Sequence, residues 1–444
     1  MKPVIHWFRQ DLRLSDHPVL RASCASALAQ GAPWLAVFVW DPAQTHATQW
    51  VGQRMGPHRV LALQQALSNL SKDLRSRGHS LRVLQGEPTQ AIMQLVAGVG
   101  AGEVWSEQLP APEEAAVDQA LAQASLRDGW RWQTRYQGGL FELGELPFHL
   151  GETPDVFTAF RQAVQRSGLQ AAAPQAHLVE WPQPLSAPAM GSPCPPWPQA
   201  LSDAPSQVPA DPRSSFPLTE PAWHIGEQAA QSHWARYLAQ GRAHHYKATR
   251  DGLQGTAFST KLSPWLAWGA ISARQAQHAL RTWETAHGAS DSSGWITFEL
   301  LWREHFRLLH FKHGRQLYRA RGLSRLSAPP QHDPAAFERW CQGDTGHALV
   351  DAAMRELKAT GWLSNRLRQV VASYLIHQLR CDWRAGAAWF ESRLIDFDVF
   401  SNQGNWAYIA GRGTDPRGGR RFDADKQARE HDPDGSYRRM WSQA

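Results

Sequence analysis

Four short apolar runs near the start of the chain, Val4 to Phe8, Trp34 to Trp40, Leu81 to Leu84 and Val104 to Ser106, alternate with stretches such as Val60 to Leu74 whose apolar residues recur every three to four positions. Runs of that length read as strands buried on both faces, and the intervening period of 3.6 reads as helix. Strands that alternate with helices need crossover connections, which predicts a parallel, doubly wound α/β sheet. From about Trp223 the pattern changes. Gln228 to Leu238, Pro264 to Thr282, Trp295 to His313, Leu349 to Leu357 and Leu363 to Leu379 keep a helical period, and strand-like runs cease. A chain of 444 residues exceeds one core, so the pattern divides it into an α/β domain over residues 1–130 and an all-α domain over residues 223–444. Residues 131–222 join them. Their second half, Trp181 to Pro221, holds 12 of the 29 prolines among Ser, Ala and Gln, which predicts a long extended linker wrapping the first domain.

A hydrophobic share of 42% excludes wholesale disorder. The N-terminus lacks a signal-peptide pattern and no stretch approaches a membrane span, so a soluble, cytoplasmic protein is expected. Cys24, Cys194, Cys341 and Cys381 form no CxxC pair, which indicates neither a disulfide framework nor a metal site. The net charge of +6 suits a polyanionic partner. Twenty-two Trp against seven Tyr supply stacking faces as well as core volume.

Chemistry is concentrated in the helical half. In Gly255 to Pro264, the hydroxyls of Ser259, Thr260 and Ser263 and the Lys261 ammonium flank Leu262, just ahead of a helix opened by proline. Free N–H groups, hydroxyls and the positive helix end suit an anion. The plainer reading is that Ser263 only caps the helix. Glu299, Trp302 and Arg303 stand at i, i+3 and i+4 and share a helix face. A solvated Glu–Arg pair is the ordinary explanation, whereas Trp302 argues for a pocket wall. Asn365 and Arg368, one turn apart, set an amide beside a fixed cation, although Ser364 and Asn365 also suit a capped helix start. Near the C-terminus, Asp382-Trp383-Arg384, Trp389-Phe390 and Asp396 to Trp406 mix carboxylates, amides and indoles. Indoles want burial while Asp and Asn want partners, so this segment is either a polar network in a core or the wall of a cofactor pocket.

That last run closely resembles the flavin-binding segment of the photolyase and cryptochrome family. The resemblance runs from His6-Trp7-Phe8-Arg9-Gln10-Asp11-Leu12-Arg13-Leu14 to Asp432-Pro433-Asp434-Gly435 and implies an all-α domain that binds FAD. Tyr246, Arg250 and Ser259-Thr260-Lys261-Leu262-Ser263 match the family's diphosphate-binding segment. Asp396 and Asp398 would hold the polar edge of the isoalloxazine, Arg368 would pair with Asp396, Arg303 would face the flavin side, and Asn402 would lie near the reactive nitrogen. Glu299, Trp302 and Asn365 match residues that meet a pyrimidine lesion. Trp406 and Trp383 match the first two members of an indole electron-transfer chain. The third position falls on Pro330, in Ala328-Pro329-Pro330-Gln331, so the outer end is either rerouted, for example through Trp340, or absent.

Gln369 and Tyr408 stand where duplex-specific dimer photolyases usually carry Met and Trp. With Leu146-Pro147-Phe148, Pro154 to Arg161 and Lys426-Gln427-Ala428, they look like the DASH cryptochromes. That branch implies light-driven repair of cyclobutane pyrimidine dimers by electron transfer from reduced FAD, with the lesion bound by Glu299, Trp302, Asn365, Gln369 and Tyr408. Single-stranded or looped DNA is the expected partner, because flipping costs least there. A monomer is expected. The alternative is a blue-light photoreceptor that uses the same flavin to switch a partner; Glu299 and the absence of a long tail after Trp441 favour repair. Where DASH relatives contact a folate antenna through a His-x-Glu stretch, this chain reads Ser106-Glu107-Gln108-Leu109, with Leu109 in place of the Glu. That loss weakens the case for methenyltetrahydrofolate as the antenna chromophore and leaves Glu107 as a candidate substitute.

Overall fold

A computed structural model describes residues 1–186, 197–324, 330–415 and 418–442. Cys194, Ala328 and Pro329 lie outside these residues, and Pro330 lies within them. The first domain is a five-stranded parallel sheet of β1 (Val4–Phe8), β2 (Trp34–Trp40), β3 (Leu81–Gln85), β4 (Glu103–Glu107) and β5 (Arg131–Arg135), in the order β3-β2-β1-β4-β5. Alternate residues of β1 and β2 feed two cores. Val4, Phe8, Ala36 and Phe38 join the helices Pro18–Gln30 and Pro57–Arg75, while Ile5, Trp7, Leu35 and Val37 join Pro88–Val99 and Pro112–Asp128. Helices therefore cover both faces, which explains the unbroken apolar runs. Each of these helices opens with proline at its first position, where the missing N–H costs no hydrogen bond.

The expected boundary at residue 130 falls one residue short of a strand. β5 pairs in register with β4, so the first domain continues to at least Arg135. As an edge strand, half-exposed and reading Arg-Trp-Gln-Thr-Arg, it carries no apolar run by which to be recognised. The joining segment is also more ordered than a bare linker. It contains the helices Phe157–Ser167 and Gln199–Gln207, the second packed on Pro57–Arg75. It meets the first domain at β2, where Trp34 N–H donates to Gln183 O at 2.8 Å and Leu185 N–H donates to Trp34 O at 3.0 Å.

The stretch Pro264 to Thr282 is two helices, Ser263–Ala267 and Ala273–His287. Gly269 adopts φ +69° between them, and Ser272 forms a reciprocal capping box with Gln275. The break serves the domain interface. A Cβ on Gly269 would lie 2.5 Å from Asp11 Cα, and Leu12 N–H donates to Trp268 O at 3.1 Å. Arg13 Nη1 donates to Gly269 O at 3.0 Å, and Arg274 pairs with Asp16 at 3.2 Å, both buried. Asp16 matches the charge of Arg274, and the guanidinium of Arg13 is satisfied by the carbonyls of Ser15, Asp16 and Gly269.

One buried group among the described residues, His6, Asp11 and His17, has metal-ligating atoms close together. His17 Nδ1 accepts the Leu20 N–H at 3.0 Å, and its Nε2 lies 3.1 Å from Asp11 Oδ2. Burial pushes the Asp11 carboxyl up, but His17, His6 and the Arg9 N–H together outweigh it and lower it to about 2. No helix among the described residues is long and apolar enough to cross a membrane.

Candidate active site

The C-terminal helices converge on a small cavity lined by Asn365, Arg368, Gln369, Asp396, Asp398, Asn402 and Trp406, with Phe390 and Phe397 beside them. Asp398 caps the helix Val399–Ile409 by accepting the Ser401 N–H at 2.8 Å, and its other oxygen accepts Arg307 Nη2 at 2.8 Å. Burial pushes this carboxyl up, but Arg307 and Arg303 outweigh it and hold it below its ordinary value. Asp396 accepts Arg368 Nη2 at 3.0 and 2.9 Å, while Arg368 Nε donates to Leu363 O at 2.8 Å. Asn402 Nδ2 donates to Ala387 O at 3.1 Å, which fixes its amide at the cavity edge.

Arg303 acts on Asp398 from outside the small cavity's lining. It is buried with Nη1 on Gly138 O at 2.6 Å, and burial lowers its guanidinium to about 10. It lies outside the cavity lining and secures the interdomain seam. Arg307, one turn further along the same helix, supplies the cation for Asp398. The i, i+4 spacing from Arg303 was the available signal, but nothing local marked which arginine would meet the aspartate.

In the hydroxyl-rich segment, Ser263 does not act as the cap: the helix Ser263–Ala267 follows Leu262 with no side-chain cap hydrogen bond. Lys261 sits at φ +55°, 2% exposed, with its Nζ 3.4 Å from the centroid of Phe258 and lacking any hydrogen-bond partner. Burial drives its ammonium well below the ordinary lysine value. A buried amine with no acceptor is what an anionic ligand would satisfy. Tyr246 is buried near Glu299 and Arg250. Arg250, grouped with the diphosphate residues by resemblance, pairs with Glu299.

Glu299 also accepts Trp295 Nε1–H at 3.1 Å, and burial raises its carboxyl despite Arg250. It is absent from the small cavity's lining. Trp302 stacks flat on Phe157 at 3.7 Å and 8° and meets Tyr408 edge-on at 5.8 Å and 75°. Arg420 Nε donates to the Tyr408 hydroxyl at 3.0 Å. The fold thus brings Asn365 and Gln369 together at one cavity and Trp302 to Tyr408, while Glu299 stands apart with Arg250. Phe157 is an aromatic partner that the sequence quoted only as a branch detail.

Trp406 is 2% exposed and meets Phe390 at 5.0 Å and Trp340 at 6.3 Å, both edge-on. Trp383, also buried, donates Nε1–H to Ala320 O at 3.1 Å. A second cavity of about 1230 Å³ lies between the domains, lined by residues that include Trp40, Trp50, Glu87, Leu109, Glu113, Glu114 and Arg384. Glu107 does not line it. It faces a buried network where burial, then Asp11, push it up to about 7.

Two family models match the chain: DNA photolyase over residues 4–182 and the FAD binding domain of DNA photolyase over residues 295–443. A protein named Cryptochrome DASH from Gloeobacter violaceus is 40% identical over 453 residues, spanning 99% of this chain and 85% of its own length. This chain belongs to the photolyase and cryptochrome family, on its DASH branch. Among solved structures, a Synechocystis cryptochrome matches this DASH chain with a TM-score of 0.87 at 36% identity, covering 99% of it and 89% of the other. A class III photolyase from Agrobacterium tumefaciens gives 0.79 at 30% identity, covering 99% and 86%. FAD is the cofactor of the helical domain in this DASH protein. The unpartnered Lys261 ammonium and the cation-balanced pair Asp396 and Asp398 fit that group.

Proposed function

We propose that this DASH protein is a photolyase that repairs cyclobutane pyrimidine dimers, preferentially in single-stranded or looped DNA. The carrying observation is the aromatic wall of Trp302 and Tyr408, 5.8 Å apart, taken with the amides of Asn365 and Gln369 on the neighbouring cavity. Reduced FAD, when bound, supplies the electron that light drives into the dimer. The protein supplies binding and electrostatics. Lys261 and the hydroxyls of Ser259, Thr260 and Ser263 offer donors to a diphosphate. Asp396 and Asp398 are each tied to an arginine, so no free carboxylate charge faces the cavity. Asn402 adds an uncharged amide, which does not repel negative charge developing nearby. Asn365 and Gln369 present donors and acceptors to pyrimidine edges. Glu299, on the helix face that carries Trp302, is held by Arg250 and by the Trp295 N–H, and burial pushes its carboxyl up. Trp406 is the first electron donor for reducing oxidised flavin.

Substrate preference follows from magnitudes. Stacking on Trp302 and Tyr408 contributes about 1–3 kcal/mol per base, comparable to the few kcal/mol that extrusion from a duplex costs. Backbone attraction does not discriminate between the two forms, so the unpaid extrusion cost falls on duplex DNA. Illumination of chemically reduced enzyme is expected to repair dimers in single strands and loops well and in intact duplex poorly. Equal rates would make it a duplex photolyase. Repair of neither, by flavin-loaded and reduced protein, would leave the blue-light photoreceptor reading.

A further inference from the structure

Pro330 occupies the position where an outer indole is expected, and an indole from another part of the chain has reached the same neighbourhood. Trp50 lies between the turn Pro42–Thr45 and the helix Pro57–Arg75. It packs edge-on against His332, two residues beyond Pro330, at 5.0 Å and 72°. The guanidinium of Arg384, next to Trp383, lies 5.7 Å from its ring centroid. From Trp50 an unbroken series of ring contacts runs inward: His332 to Phe337 at 5.5 Å, Phe337 to Trp340 at 6.0 Å and 22°, and Trp340 to Trp406 at 6.3 Å.

The inner indoles cannot retain a positive charge cheaply. Trp340 is fully buried with its N–H held by Val371 O at 3.1 Å, and the Trp383 N–H is held by Ala320 O at 3.1 Å. Both rings are shut off from solvent, and a buried unpaired cation is costly. Trp50 is half-buried and lines the interdomain cavity. Arg384 would repel a positive ring, but Asp382 pairs with it at 2.7 Å and offsets its charge.

We propose that Trp50 is the outer electron donor for flavin photoreduction, with Trp340 as the buried relay from Trp406. This rests on the reading of Trp406 as the first donor. One electron passes from Trp406 to photoexcited oxidised FAD, one from Trp340 to Trp406, and one from Trp50 to Trp340. Oxidised Trp50 releases its indole N–H proton to cavity water, and a small-molecule thiol returns one electron and one proton to it. Phe337 and His332 stay unoxidised and fill the gap between the indoles.

The test is transient absorption after a blue flash on flavin-loaded full-length protein. Trp50→Phe and Trp340→Phe are each expected to shorten the lifetime of the charge-separated state about tenfold or more, because the hole is stranded close to the flavin. Trp50→Tyr, whose phenol is oxidisable, is expected to restore a long lifetime, which a purely structural role would not explain. Prolonged illumination in air followed by peptide mass spectrometry is expected to find oxidation at Trp50. A wild-type lifetime in Trp50→Phe, or oxidation confined to other indoles, overturns the proposal. Repair by chemically reduced wild-type enzyme needs no photoreduction, so its failure would count against the proposed function and be distinguishable from failure of this route.

Discussion

Gly386→Ala sets two physical effects against each other. Gly386 lies inside the helix Trp383–Arg393, where alanine is intrinsically favoured over glycine by about 1 kcal/mol. Helix propensity alone therefore expects a stabilised protein. The tertiary structure opposes this, because a Cβ at 386 would sit 2.5 Å from Cζ3 of Trp406 and 2.6 Å from Cδ2 of Leu375, and closer still to Cη2 of the indole. Real carbon pairs sit near ~3.5–4 Å, so the indole must move by about 1 Å or the helix must shift. Trp406 is 2% exposed and wedged against Phe390 and Trp340, so it has no open space to enter. Overpacking of this kind costs about 1–3 kcal/mol and at times more. After the propensity gain, the variant is expected to be up to about 2 kcal/mol less stable than wild type. Thermal unfolding measures the sign, and photoreduction should slow as Trp406 is displaced. An unchanged or raised Tm would refute the claim that backbone and indole are in unavoidable contact here.

Asp396→Ala removes the partner of Arg368. Loss of a buried pair costs about 3–5 kcal/mol. Arg368 is 23% exposed and keeps its bond to Leu363 O, so about 2–3 kcal/mol is expected, seen as a lower Tm with weakened flavin retention. Normal flavin affinity would count against the pairing as a cofactor device. Glu356 is fully buried beside Lys261 and Tyr437, and burial lifts its carboxyl from 4.5 to about 7. A raised carboxyl stabilises fully below its unfolded value, and that contribution of about 3 kcal/mol is lost as pH rises from 4.5 through 7. Glu356→Gln should flatten this fall and be more stable than wild type at pH 8; an identical Tm slope with pH in both proteins would disprove it. Trp406→Phe should slow photoreduction of oxidised flavin by about tenfold or more, measured as bleaching under blue light, since phenyl is far harder to oxidise than indole.

The elements with strong local signals were legible from the sequence. β1 and β2 matched their apolar runs because a strand covered on both faces must be apolar throughout. The long helices followed their 3.6 period, and Arg368 did meet Asp396. β5 was missed because an edge strand has no such requirement, and the break at Gly269 was missed because the helical period runs on through it.

Composition and periodicity fixed the two domain classes, and the motif residues pointed to the cofactor, because both depend on residues close together in the chain. What only the tertiary structure decided is pairing across the chain: Arg250 with Glu299, Arg307 with Asp398, Phe157 with Trp302, and Trp50 with His332. Each contact joins segments distant in sequence, and a side chain's period reveals that it is buried without revealing against what. Packing selects the partner, since every buried charge must find a counter-charge and every indole a space that fits it.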